Sequence, residues 1–168
     1  MSELRARTLH CPASVPAALQ RLTSLEDELF VVDLGVIARK VRHWTHVLPG
    51  VGCFFAVKAL PDPIVLKALA SMGAGFDCAS AGEMECVLGL GVAPERIILS
   101  HACKLPSAIV TARKHGVRWM TFDNAYEVKK VHQLYPDAQF VEPCGAVPDV
   151  ISSFLFSFSI SIPISIPS

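Results

Sequence analysis

The stretch Phe54-Phe55-Ala56-Val57-Lys58 places a lysine directly after a run of bulky apolar residues. Such a run is typical of a buried parallel strand, and the lysine stands where that strand would end and meet solvent. In an α/β barrel the catalytic groups lie at the carboxyl ends of the strands, where the βα loops frame the pocket. A desolvated lysine amine there can form a Schiff base with an aldehyde or a ketone. The ordinary alternative is a solvated lysine that ends a strand.

Strand-like runs recur along the chain at a nearly constant spacing. They start at residues 30, 53, 75, 97 and 119, at intervals of 23, 22, 22 and 22 residues, and Gln139 starts a sixth run. The segments between them carry helix-capping residues: Asp62 before Pro63, the pairs Ser80/Glu83 and Asn124/Glu127, and stops at Gly73, Gly89 or Gly91, and Gly116. Repeated βα units of this kind predict an α/β fold of the (β/α)₈ TIM-barrel type, with Phe30–Leu34 as the first strand.

The length of the chain predicts an incomplete barrel. A closed barrel needs eight βα units and about 250 residues, whereas five to six units are visible in 168 residues. We expect an N-terminal lead-in at 1–29, a partial barrel at 30–141 and a C-terminal tail at 142–168 that is unrelated in sequence to the barrel. From Phe154 to Ile166 apolar residues alternate with Ser or Pro, apart from Leu155, and this period argues against a transmembrane helix. We expect this low-complexity tail to be disordered.

Composition narrows the class of protein. The chain has 15 basic and 15 acidic side chains and therefore no net charge, which argues against nucleic-acid or anionic-membrane partners. Its six cysteines include no CxxC pair, so we expect reduced thiols, mainly in the core, and a cytoplasmic location. Residues 1 to 29 contain no long apolar run typical of a signal peptide. His43 and His46 have a zinc-compatible spacing, but no third ligand is nearby, and we expect no metal site.

Several motifs together resemble those of one protein family. Phe55-Ala56-Val57-Lys58 is similar to that family's motif Tyr-Ala-Val-Lys, and Gly75 to Ser80 matches a second motif of the same family in full. Further matches follow in the same order: Leu90-Gly91-Val92, Pro94 to Ile98, Cys103-Lys104 and Met120 to Asp123. On these residues the chain resembles the N-terminal barrel of the ornithine decarboxylase class of pyridoxal-phosphate enzymes. That family also contains the antizyme inhibitors.

The resemblance implies a cofactor, pyridoxal 5'-phosphate, and roles for three residues. Lys58 matches the lysine that forms the Schiff base with the cofactor, and Asp77 matches an acidic residue that lines the cofactor pocket. Ala56 is the small residue that precedes the lysine by two and lies on the same face of the strand, where a larger side chain would crowd the cofactor. The implied reaction is decarboxylation of ornithine or of another basic or aliphatic amino acid.

Departures from the family pattern bear on activity. Pro143 stands where the family has an arginine on the sixth strand, and the other groups that complete the family's pocket fall past the end of this sequence. Ala59-Leu60 replaces the family's Cys-Asn after the lysine, and His101-Ala102 replaces Asn-Pro, so we expect a structural His101. We expect the chain to be inactive by itself, and a homodimer or a heterodimer with a full-length relative is a further expectation.

A second hypothesis is a non-catalytic regulator that binds antizyme. The family uses the region equivalent to 106–130 to bind antizyme, an acidic partner, through basic side chains. The candidates here are Arg113, Lys114, His115, Lys129 and Lys130. A solvated helix face is the ordinary alternative for such lysines. The retained Asp77 favours the decarboxylase lineage.

Overall fold

Five short strands and five helices alternate along residues 32–141, the part of the chain that this computed structural model describes. The strands are β1 (Phe54–Ala56), β2 (Gly75–Cys78), β3 (Ile97–Leu99), β4 (Trp119–Thr121) and β5 (Gln139–Val141). The helices are α1 (Leu34–Val47), α2 (Pro63–Ser71), α3 (Ala81–Gly89), α4 (Pro106–His115) and α5 (Ala125–Leu134). Two 3₁₀ turns span Val57–Ala59 and Pro94–Arg96. The predicted lead-in at 1–29 and tail at 142–168 lie outside the described residues.

The sheet has the strand order of a barrel. Its five strands are all parallel and neighbour one another in the order β1-β2-β3-β4-β5. Because parallel crossovers are right-handed, an order that never reverses places every helix on the same side of the sheet. A doubly wound sheet reverses its order and carries helices on both sides. The predicted α/β barrel type is therefore confirmed, with β5 as the strand predicted to begin at Gln139.

One face of the sheet forms the core. The fully buried strand side chains on it are Phe76, Cys78, Ile97, Leu99 and Met120. They pack with apolar side chains of the helices: Val65, Leu66, Leu69, Met84, Val87, Ile109, Ala112 and Val131. The other face is only half-buried, as Ala56, Asp77 and Ile98 show. The strands were predicted to be buried on both faces, and this holds fully only for the face that packs against the helices. In a closed barrel, side chains from the remaining strands fill the second face.

Local capping signals are confirmed at the helix ends. Asp62 Oδ1 accepts hydrogen bonds from the amides of Ile64 and Val65 at 2.9 and 3.0 Å, and Pro63 is the first residue of α2. Gly116 ends α4 in the left-handed conformation, with φ of 76°. An L-residue with a side chain is strained there, which explains the glycine.

The two predicted capping boxes form differently. In both, the cap side chain accepts the expected amide: Ser80 Oγ from Glu83 at 3.3 Å, and Asn124 Oδ1 from Glu127 at 2.9 Å. Glu83 Oε2 then accepts from the amide of Ala79, one residue before the cap, at 2.6 Å. The Glu127 carboxylate instead binds lysines, as described below.

The prediction of the first strand was wrong in part. Leu34 was predicted to end the first strand, whereas it begins α1, and Val32 and Asp33 lie in no strand. An aspartate directly before a helix is a preferred N-cap residue, which favours the helix over the strand. The rest of that predicted strand, Phe30 and Val31, lies outside the described residues.

The cysteines were predicted to lie mainly in the core, and this holds for only part of the set. Cys78 is buried and Cys53 half-buried, whereas Cys86 and Cys103 are exposed; all four are free thiols. Burial raises the pKa of the Cys78 thiol to about 12, so this thiol stays protonated and inert at neutral pH. Cys11 and Cys144 lie outside the described residues.

A buried pair of charges joins the loop before α4 to helix α5. Lys104 is 2% exposed and Glu127 is 1% exposed, and Lys104 Nζ lies 2.9 Å from Glu127 Oε1. Lys130 Nζ lies 2.6 Å from Glu127 Oε2, and it also donates to the carbonyl of Lys104 at 2.6 Å. Burial alone would raise the pKa of Glu127, but the hydrogen bonds from both lysines hold it below its ordinary value of 4.5. Removing one partner from such a pair leaves the other charge buried and unpaired.

Two glycine substitutions should have opposite effects on stability. Gly116→Ala should destabilise the fold by about 1 kcal/mol, because alanine is strained at positive φ. The matched change Gly82→Ala should stabilise it by up to about 1 kcal/mol, because Gly82 lies in α3 with open space beside it. Urea unfolding of both variants tests this, and equal effects in the two would contradict the assigned conformations.

The stability contributed by Glu127 should disappear in acid. Its pKa is lowered in the folded state, so its contribution is present above about 4.5 and is lost as the pH falls through the lowered folded value. At pH 7, Glu127→Gln should cost about 3 kcal/mol. The deficit relative to wild type should shrink in the acid range. Urea unfolding at a series of pH values measures it, with exposed Glu85→Gln as the control that should show little deficit at any pH.

Candidate functional site

Lys58 lies at the carboxyl end of β1, but in a turn rather than in the strand. The predicted strand through Val57 ends at Ala56, and Val57–Ala59 forms a 3₁₀ turn. The Val57 side chain is 1% exposed and anchors this turn in the core, whereas Lys58 is exposed. The turn therefore presents the lysine amine at the edge of the sheet where barrel enzymes place their chemistry.

Ala56 and Asp77 are direct neighbours across β1 and β2. The register pairs Ala56 with Asp77, and both are half-buried. The prediction that Ala56 and Lys58 share a face assumed a period of two, which applies only within a strand. Because Lys58 lies in the 3₁₀ turn, that basis does not hold. A role of Ala56 against the cofactor stays a prediction that now rests on its pairing with Asp77.

Asp77 and Lys58 interact electrostatically at this edge of the sheet. Burial raises the pKa of the Asp77 carboxyl above its ordinary value of 3.8. A hydrogen bond from the Ser100 side chain and the charge of Lys58 both lower it, and the Glu83 carboxylate raises it. The structure therefore brings together the lysine and the aspartate that the sequence singled out, within electrostatic range of each other.

Two residues at this edge were not predicted as site residues. Glu83 was interpreted only as a helix cap, and Ser100 was assigned no role. The Ser100 amide donates to the carbonyl of Cys78 at 2.8 Å, which places Ser100 beside the end of β2. A signal was available for each, since a helix cap after β2 and the residue after β3 both lie at the carboxyl edge of a parallel sheet.

His101 makes a loop contact. Its ring Nδ1 accepts a hydrogen bond from the amide of Cys103 at 3.1 Å, and its carbonyl accepts one from Lys104 Nζ at 3.1 Å. Both contacts hold the loop between β3 and α4, in agreement with the structural role expected for His101.

The basic candidates for partner binding differ in their surroundings. Arg113, Lys114 and Lys129 are exposed, and Arg113 also donates to the carbonyl of Leu134 at 3.1 Å. His115 is half-buried, and the Lys130 side chain is only 17% exposed and is held by Glu127, so its ammonium is less accessible to a partner.

A cavity of about 530 Å³ lies at the opposite edge of the sheet from Lys58. Trp119 and Gln139, the first residues of β4 and β5, line it together with Arg113 and Arg118. It borders the amino ends of the strands, away from the Lys58–Asp77 pair.

Metal-binding clusters and membrane-spanning helices are both absent from residues 32–141. No group of three or more His, Cys, Asp or Glu side chains there is arranged to hold a metal ion, and His43 and His46 are exposed on α1. In the same range, no helix is both long enough and apolar enough to cross a bilayer.

The residues present fit one end of a pyridoxal phosphate site. An exposed amine beside a carboxylate can condense with an aldehyde, and the carboxylate favours the protonated nitrogen that results. A phosphate is usually held by a glycine-rich turn at a helix amino terminus. The helices in residues 32–141 begin after Asp33, Asp62, Ser80, Leu105 and Asn124, without such a turn.

Comparisons with known proteins identify the family of the chain. Residues 34–142 match the family model of the pyridoxal-dependent decarboxylases, pyridoxal-binding domain. The chain is 50% identical over 114 residues to ornithine decarboxylase of Neurospora crassa, a match that covers 68% of this chain and 24% of the relative. It is 49% identical over 119 residues to antizyme inhibitor 2 of Xenopus laevis, covering 71% of this chain and 26% of the relative.

A solved structure shares the fold. The ornithine decarboxylase from Entamoeba histolytica superposes with a TM-score of 0.72 at 30% identity, covering 84% of this chain and 44% of that chain. The chain spans only about a quarter of the length of the curated relatives named above. The match nevertheless covers most of the residues that the structure describes. The chain therefore belongs to the pyridoxal-dependent decarboxylase family, through the family's pyridoxal-binding domain.

Proposed function

We propose that this chain provides the Lys58 side of a pyridoxal phosphate site in an amino-acid decarboxylase. The observation that carries the proposal is an exposed Lys58 at the carboxyl edge of a barrel-type sheet, close enough to Asp77 for its charge to lower the pKa of that carboxyl. Decarboxylation would need further groups, above all for the phosphate, that residues 32–141 do not contain. The chain alone is therefore proposed to be inactive, and to act only with those groups supplied.

The roles of the residues follow from their positions. Lys58 would hold the cofactor by condensing its amine with the cofactor aldehyde, with water as the leaving group. Asp77 would place a carboxylate near the Lys58 nitrogen, where negative charge favours a protonated nitrogen. Ala56, directly opposite Asp77, has a small side chain that would leave room beside this carboxylate. Bound pyridoxal phosphate supplies an electron-withdrawing ring that accepts the electron pair left behind when a carboxylate departs as carbon dioxide.

The substrate class and the assembly belong to the same proposal. The similarity to ornithine decarboxylases supports a basic amino acid such as ornithine. A heterodimer with a longer relative is proposed to supply the missing groups, and a homodimer of this chain is the alternative assembly. The free thiols among the described cysteines support a reducing, cytoplasmic location.

A second candidate function is regulation through antizyme. The specific observation is that antizyme inhibitor 2 matches this chain at 49% identity, about as well as the Neurospora decarboxylase does. Arg113 and Lys114 are exposed in the last turn of α4 and could meet an acidic partner. Lys130 is the weakest of the candidate contacts, because its charge is already paired with Glu127.

Cofactor attachment should occur selectively at Lys58. The purified chain is incubated with pyridoxal phosphate, reduced with borohydride and mapped by peptide mass spectrometry. We expect saturable labelling at Lys58, its complete loss in Lys58→Met, and about tenfold weaker labelling in Asp77→Asn, because the carboxylate no longer favours the protonated product.

The control for surface labelling is Lys67→Met, since Lys67 is an exposed lysine of α2. This variant should keep the Lys58 signal of the wild type. Labelling spread equally over Lys58, Lys67 and other surface lysines would contradict the proposed site.

Binding to antizyme should depend on the basic end of α4. Titration of the chain with purified antizyme should show binding that Arg113→Ala/Lys114→Ala weakens about tenfold and that added salt weakens in wild type, because exposed charges are screened. The control matched in charge is Lys40→Met/Lys67→Met, since both lysines are exposed and lie outside α4. Absence of binding, or equal loss in this control, would remove this candidate.

A further inference from the structure

The hydrogen-bond ladder between β3 and β4 is shorter than the others. It has two register pairs, ending at Leu99 and Met120, whereas each of the other neighbouring pairs has three. Thr121, the last residue of β4, therefore pairs with β5 but not with β3. Its carbonyl instead accepts a hydrogen bond from Lys104 Nζ at 2.6 Å. A side-chain ammonium thus continues the connection at the point where the backbone ladder stops.

The Lys104 ammonium connects three elements. Its three donors reach the carbonyl of His101 at 3.1 Å, the carbonyl of Thr121 at 2.6 Å and the carboxylate of Glu127 at 2.9 Å. An ammonium has three hydrogen-bond donors, and all of them are used. The group therefore links the loop after β3 to the end of β4 and to α5.

Glu127 binds both the side chain and the backbone of Lys104. Its Oε1 also accepts the backbone amide of Lys104 at 3.0 Å, so one carboxylate oxygen binds both the main chain and the side chain of that residue. Its Oε2 binds Lys130, whose Nζ reaches back to the carbonyl of Lys104. The carboxylate is nearly inaccessible to water, so these contacts are not in competition with solvent.

The held loop starts at Ser100, beside the candidate site. The Ser100 amide is bound to the carbonyl of Cys78, the residue after Asp77, and Asp77 pairs with Ile98, two residues before Ser100. From this position the Ser100 hydroxyl lowers the pKa of the Asp77 carboxyl. His101, which the ammonium binds, follows Ser100 directly in the chain. Movement of the loop at His101 would therefore move the donor that stabilises the Asp77 charge.

We propose that Glu127 is a positioning residue that acts through Lys104 to hold the Ser100 hydroxyl against Asp77. Glu127 thereby influences the charge of Asp77, although α5 itself does not reach the site. The proposal rests on the proposed function only where it treats Lys58 and Asp77 as a cofactor site. The contacts of Glu127 and Lys104 involve neither Lys58 nor Asp77 and are independent of cofactor binding.

The test is the titration of Asp77 in the full chain by carboxyl carbon NMR, with its signal assigned by Asp77→Asn. The charged neighbours of Asp77, Lys58 and Glu83, are left unchanged in every variant. The variants are Glu127→Gln, Lys104→Met and Ser100→Ala. Val65→Ala in α2 serves as a destabilised control, because it removes buried volume away from the network.

We expect the midpoint of the Asp77 titration to rise by about half a pH unit in each of the three network variants, because the carboxylate loses a donor. The Val65→Ala control should keep the wild-type midpoint although it is less stable. In the double variant Ser100→Ala/Glu127→Gln, the second change should add nothing to the first. Lys104→Met provides a second measurement if Glu127→Gln does not fold.

An unchanged midpoint in both Glu127→Gln and Lys104→Met would overturn the proposal, as would an equal rise in Val65→Ala. Failure of wild-type Lys58 to react with pyridoxal phosphate would contradict the proposed function instead. The Asp77 titration would still decide whether Glu127 positions Ser100.

Discussion

The parallel pairing of β1 with β2 is the constraint on which the site depends. It places Ala56 opposite Asp77, and the 3₁₀ turn that follows Ala56 then presents Lys58 at the same edge. A shift of one residue in this register would move Asp77 to the opposite face of the sheet, among the helices. The buried side chains of Val57 and Phe76 oppose such a shift, since each would have to leave the core. Packing on the helix side of the sheet therefore fixes the charges on the other side.

The elements that sequence predicted well are those with local causes. The α2 cap at Asp62 and the α4 stop at Gly116 depend on residues within a few positions, so the signal is complete in the sequence itself. The nearly constant spacing of the strand runs also required no knowledge of packing. Lys58 and Asp77 were identifiable because both occur in motifs that follow or form predicted strands.

The features that sequence did not predict depend on contacts between distant segments. Asn124 and Glu127 have the spacing of a capping box, and half of the box forms, but two lysines bind the carboxylate in place of the helix end. Lys104 lies 23 residues away along the chain, so nothing in the local pattern distinguishes a cap from a buried ion pair. The 3₁₀ turn at Lys58 likewise follows from the burial of Val57, which only the folded core provides.

The unbroken strand order also bears on how the chain acquires its structure. Every register pair of the sheet joins residues 20 or 21 positions apart. Each new strand therefore has about the same loop-closure entropy to overcome, and none must wait for a distant segment. Contacts of this short sequence separation favour rapid folding. Assembly can proceed strand by strand as the polypeptide leaves the ribosome, with each βα unit using the preceding one as its template.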